Sequence, residues 1–116
     1  MALIQATQPL VPLTMNMDKV FLTVTIGNFQ IGASAIWFDG GPLLTKGDIS
    51  QFLLGKKVDL LGKKLWIVTT VLDSNPADGN IIVTIGFNGT TSAPIVVTAA
   101  LNAGDIYALT TSYTFN

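Results

Sequence analysis

Six or seven strand-like runs at roughly ten-residue spacing, broken by clusters of turn-forming residues, leave room in this chain for short strands and little room for long helices. "DGGP" at 39–42, "DSNPADGN" at 73–80, "NGTTSAP" at 88–94 and "NAGD" at 102–105 combine Gly, Pro, Asn, Asp and Ser. Turns use these residues for positive φ, fixed φ or local side-chain hydrogen bonds. Between the clusters the pattern has a period of two. Val20, Leu22, Val24 and Ile26 alternate with Phe21, Thr23, Thr25 and Gly27 in a run over 20–29. In the next run Ile31, Ala33, Ala35 and Trp37 oppose Ser34, Ile36 and Phe38. Further runs cover 65–72, 81–87, 95–101 and 106–115, the last with Tyr107, Leu109, Thr111, Tyr113 and Phe115 on one side. Such alternation marks half-buried strands.

The charged residues agree with this reading. Every acid is Asp and every base is Lys, with no Glu, Arg or His, while Thr occurs fourteen times. Glu and Arg favour helices, whereas Thr, Val and Ile fit a pleated surface. The expected fold is therefore all-β: an antiparallel β-sandwich of six to eight strands, Ig-like or jelly-roll-like. A chain of 116 residues supports one core. That core is expected in a single domain over 18–116, preceded by an extended apolar arm over 1–17, where Pro9 and Pro12 spoil regular structure.

One short helix is expected near 49–54. Asp48 stands where an N-cap would and Gln51 follows three residues later, completing a capping box before Gly55 as C-cap. The sequence then says LLGKK twice, at 53–57 and 60–64, and holds four of the six lysines there. A continuous cationic helix over 49–66 lying on a membrane is one reading of that repeat, opposed by a cost of about 1 kcal/mol for each interior glycine. The favoured reading makes Gly62 the loop that feeds the next strand.

Several activities lose their chemistry. Without His or Cys there is no imidazole-activated nucleophile, no disulfide, and no Cys- or His-based metal site. No cofactor is expected. A net charge of −1 offers no basic face for nucleic acid. Asp73, Asn75 and Asp78 have the composition of a cation loop, but their spacing slips by one from the calcium-binding order and turn formation explains them without a metal. The turn Asp residues likewise need no catalytic role, so no enzyme is expected. The first residues lack the basic start of a signal peptide, and no window offers the roughly 18 apolar residues of a membrane-spanning helix. The compartment is left unassigned.

The surface is the remaining clue. Charged residues make up only 11% of the chain, against about 25% in ordinary domains. A small β-protein with so little charge is poorly protected against association. The expectation is a non-enzymatic structural subunit that self-associates into a homo-oligomer such as a ring, tube, filament or shell. Its joining elements would be strand edges and the arm residues Leu3, Ile4, Leu10, Val11, Leu13, Met15 and Met17. The alternative is a carbohydrate- or protein-binding module using Trp37 and Trp66 as a platform.

Overall fold

The computed structural model describes residues 2–28, 30–75 and 77–116. Met1, Phe29 at the end of the expected strand 20–29, and Pro76 in the expected turn 73–80 lie outside the described residues. Among the described residues the chain forms ten strands: β1 (Leu3–Thr7), β2 (Val11–Leu13), β3 (Lys19–Ile26), β4 (Ile31–Phe38), β5 (Leu43–Gly47), β6 (Ile49–Lys56), β7 (Lys64–Leu72), β8 (Asn80–Asn88), β9 (Ile95–Ala100) and β10 (Ile106–Phe115). One short helix, α1 (Lys57–Leu60), joins β6 to β7. The fold is an all-β sandwich.

One sheet has the order β1-β10-β7-β4-β5, with β2 also on β10; the other has the order β6-β3-β8-β9. The chain changes sheet at every connection except β1–β2, β4–β5 and β8–β9. Alternation fixes what each strand buries. From β7 come Leu65, Ile67 and Val71, from β8 Ile81, Val83 and Ile85, and from β3 Val20 and Leu22, all buried between the sheets. Each such side chain contributes about 1.5–3 kcal/mol relative to exposure. Phe87 packs edge-to-face against Tyr113 at 4.7 Å and Phe115 at 6.1 Å between ring centroids, joining β8 to β10 across the core.

The expected helix over 49–54 is a strand. Residues 49–56 pair antiparallel with β3, burying Ile49 and Leu54. The capping signal at Asp48 and Gln51 is overridden because the segment pairs along one side with β3 and buries Ile49 and Leu54 against the core. Two register shifts accommodate the fit, and Gln51 takes a positive φ of 49° with its N–H donating to Thr23 Oγ1 at 3.0 Å. The helix comes one segment later, as a single turn whose Leu60 is buried. The two LLGKK copies therefore serve different structures. The first ends β6 and enters α1; the second leaves α1, turns at Gly62 and starts β7.

The strand count exceeds the expected six to eight because β1, β2, β5 and β6 carry weak local signals. Residues of the arm lie on their own sheet: β1 and β2 pair parallel with β10, Leu3 opposite Ile106 and Leu13 opposite Phe115. Asn116 N–H donates to the Leu13 carbonyl and Met15 N–H to the Asn116 carbonyl, both at 2.8 Å. Gly89 closes the adjoining end. Its φ of +102° and its close approach to the Lys19 carbonyl leave no room for a Cβ.

Candidate assembly surface

The register of the six-stranded sheet arranges its outer face in rows across the strands. Leu3, Ile106, Leu72 and Ile31 stand side by side in the first. Two rows of small side chains follow, among them Ala33, Ala35, Ala108 and Thr70. The fourth row holds Ser112, Trp66, Trp37 and Leu43. The large members are open: Ile31 is 66% exposed, Leu3 62% and Leu43 53%. Among the paired positions of this face only Lys46 and Lys64 carry charge, and no acid does.

Strand β4 explains how this face arises. Ile31, Ala33, Ala35 and Trp37 point outward, while Ser34 and Ile36 are buried on the inward side, where Ser34 shares a 2.8 Å hydrogen bond with the buried Thr69 hydroxyl of β7. That bond satisfies two buried hydroxyls at once, removing a penalty of about 1–3 kcal/mol for each. Ile36 is fully buried on the same inward side, so β4 feeds the core while also presenting Ile31 and Trp37 outward.

Trp37 and Trp66 are directly opposed on β4 and β7 and both are half-buried. The Trp66 indole N–H donates to Asp39 Oδ1 at 3.0 Å, and Lys64 Nζ lies 4.2 Å from the Trp66 ring centroid. Beside them is a cleft of about 490 Å³ formed by the "DGGP" turn and the second GKK, with Phe38, Asp39, Leu44, Lys63 and Lys64 among its walls. Lys63 Nζ lies 5.2 Å from the Phe38 ring centroid on the same side. The cleft therefore combines a carboxylate, two ammonium groups and an aromatic wall.

The expected arm residues separate into two groups. Leu13 and Met15 are buried in the core, Val11 is half-buried, and Leu3, Ile4, Leu10 and Met17 are exposed. Only Leu3 belongs to the first row described above. Ile31, Leu72, Ile106 and Leu43 were not among the residues expected from sequence. The signal that groups Ile31 with Trp37 was present in their common parity, but which parity faces outward is a tertiary property.

The turn after β7 is organised by the buried Gln30. Its Oε1 accepts from the N–H groups of Ser74 at 2.7 Å and Asn75 at 3.0 Å, and its Nε2 donates to the Asp78 and Asn80 carbonyls. Asn75 Oδ1 accepts the Ala77 N–H and Asp78 Oδ1 the Asn80 N–H, each at 2.9 Å. The Asn80 N–H, with help from Asn28, holds the Asp78 carboxyl below its ordinary value of 3.8. Asp73 is buried at the other end of the turn, with Oδ1 unpartnered. No group of three or more His, Cys, Asp or Glu side chains suited to a metal occurs among the described residues. The stretch 49–66, read above as a candidate membrane helix, is strand, one helical turn and strand.

No family model matches this chain, and no curated protein or solved structure is significantly similar to it. The geometry of the outer sheet face therefore carries the functional reading.

Proposed function

We propose that this protein is a non-enzymatic structural subunit that self-associates, and that the outer face of its six-stranded sheet is the joining surface. The outward row of Leu3, Leu72 and Ile31 is the observation that carries this reading, because these large apolar side chains are 62%, 37% and 66% exposed, where a monomer gains little from them. Four rows across four or five strands cover about 600 Å² in projection, from a strand spacing of ~4.8 Å and a rise of ~3.4 Å per residue. A side-chain surface that size approaches the ~800 Å² per partner of a standard stable interface. The occupant is a second copy, since a face whose few charges, Lys46, Lys64 and Asp39, nearly balance offers a strongly charged partner little to read, while two such faces stack as apolar sheets do. The arm's contribution to the interface is confined to Leu3, because β1 and β2 already complete their own sheet.

Sedimentation velocity over a wide concentration range tests this. The native chain should form dimers or larger species, and Ile31→Lys with Leu72→Lys should weaken association at least tenfold while leaving the circular dichroism of the fold unchanged. A native chain that stays monomeric up to its solubility limit overturns the proposal.

The Trp37–Trp66 pair and its adjoining cleft favour a second reading, a carbohydrate-binding module. An apolar sugar face would lie on the paired indoles, with Asp39, Lys63 and Lys64 meeting hydroxyls at the cleft rim. Quenching of tryptophan fluorescence by a soluble quencher, and protection from it by a panel of oligosaccharides but not by raised protein concentration, would support this reading over association.

A further inference from the structure

The two sheets expose four edges, and three of them are blunted. On β1 and β2 the edge is broken by residues 8–10, and Pro9 and Pro12 offer no N–H. The β5 edge is five residues long, carries Lys46, ends at Gly47 with a φ of +106°, and has a register shift against β4. The β6 edge has two register shifts, positive φ at Gln51 and Gly55, and Lys56 at its end. These are the devices by which sheets avoid edge-to-edge pairing.

Strand β9 has none of them. It pairs with β8 in unbroken register from Asn80 opposite Ala100 to Ile85 opposite Ile95, and no strand covers its other side. Its sequence, IVVTAA, contains no charge, proline or glycine. The charge-free stretch around it runs from residue 79 to residue 104. Val96 is 57% exposed on the outer side, while Ile95, Val97 and Ala99 pack only partly against the core margin.

We propose that β9 pairs antiparallel with β9 of a second copy, joining two four-stranded sheets into one of eight strands. Three features favour a second copy as the occupant. A two-fold interface sets each residue near its axis against itself, so any charge there would repel its own image, and β9 has none. Side-chain parity is kept in an antiparallel self-pair when the axis passes at a residue rather than between two; the central residues of β9, Val97 and Thr98, give the longest overlap and set Val against Val or Thr against Thr as cross-strand pairs. The partner strand then covers Ile95, Val97 and Ala99 with the same residues, extending the core margin of each copy. Edge addition supplies main-chain hydrogen bonds along about 20 Å of strand.

This inference deepens the self-association reading by adding a second, separate contact. Face pairing uses the six-stranded sheet and edge pairing the four-stranded one, so one copy can make both. Two different two-fold contacts on one subunit carry assembly past a dimer, into a filament or a closed ring. The test compares three variants of the full chain by sedimentation velocity and negative-stain electron microscopy. Val96→Lys with Thr98→Lys should stop assembly at the face-paired dimer, and Ile31→Lys with Leu72→Lys should stop it at the edge-paired dimer. Val96→Glu with Thr98→Glu should behave as the β9 lysine variant does, and mixing the two β9 variants should restore species larger than a dimer, a rescue that misfolded chains would not give. A β9 lysine variant that assembles like the native chain overturns the edge contact and leaves the face reading standing. If instead the face variant assembles normally while the β9 variant is monomeric, the edge contact stands and the face reading falls. A native chain that is monomeric removes both.

Discussion

Substituting Leu13 by Ala measures what β2 contributes to the core that it completes. Leu13 is 1% exposed on β2, opposite Phe115, whereas Leu10, three residues earlier, is 46% exposed. Large-to-small changes at buried leucines cost about 2–5 kcal/mol, and about 3 is expected at Leu13, where β2 is a short edge strand with freedom to relax. With an unfolding entropy near ~2.1 cal/mol/K per residue, a chain of 116 residues has about 0.24 kcal/mol/K in total. The melting temperature should fall by about 12 °C at Leu13→Ala and by no more than about 4 °C at Leu10→Ala, where less than ~1 kcal/mol of burial is lost. Differential scanning calorimetry at several protein concentrations measures both. Equal shifts at the two positions would refute the reasoning. So would a Leu13 penalty that vanishes on dilution, because a leucine seated on a neighbouring copy rather than in its own core would behave that way.

Two further outcomes follow from groups described above. The Tyr113 hydroxyl is buried without a hydrogen-bond partner, and burial, opposed in part by the nearby Thr111 hydroxyl, pushes its phenol above the ordinary value of 10.0; Tyr113→Phe should raise the urea midpoint, by up to about 1 kcal/mol in stability, since it removes an unsatisfied polar atom and keeps the ring contacts with Phe87 and Phe115. Stability should be flat between the carboxylate range and pH 10, as no His titrates there: the depressed Asp78 carboxyl contributes stability above 3.8 that is lost as pH falls through its folded value, and the raised Tyr107 and Tyr113 phenols contribute stability below 10.0 that is lost as pH rises through theirs. A melting-temperature profile with a step near neutral pH would contradict this.

Strands β3, β4, β7, β8, β9 and β10 were legible in the sequence because each has alternation over six or more residues and a turn cluster at one end or both. What escaped was set by partners far away in the chain. The run ISQFLLGK carries a helix-start signal, and only the presence of β3 beside it decides for a strand. LIQAT and VPL are too short and too interrupted to read as strands until β10 is placed next to them. The Trp37–Trp66 pairing was invisible for a similar reason, since register across β4 and β7 depends on the hydroxyl contact between Ser34 and Thr69 and on the fit of Ile36 against Ile67. Local pattern gave the parity of β4, and the burial of Ser34 and Ile36 against β7 decides which side faces outward.

The parallel docking of β1 and β2 on β10 has a bearing on synthesis. Strands β1 and β2 find their hydrogen-bonding partner only in β10, which leaves the ribosome much later, Ile106 standing more than a hundred residues after Leu3. Until then a nascent molecule carries an unpaired leading ribbon together with the uncharged stretch through β8 and β9, and neither has ionised side chains to discourage sticking. Polysomes making many copies at once would hold such ribbons close together, so cells producing this protein have reason to keep its translation dilute or its emerging chains chaperoned.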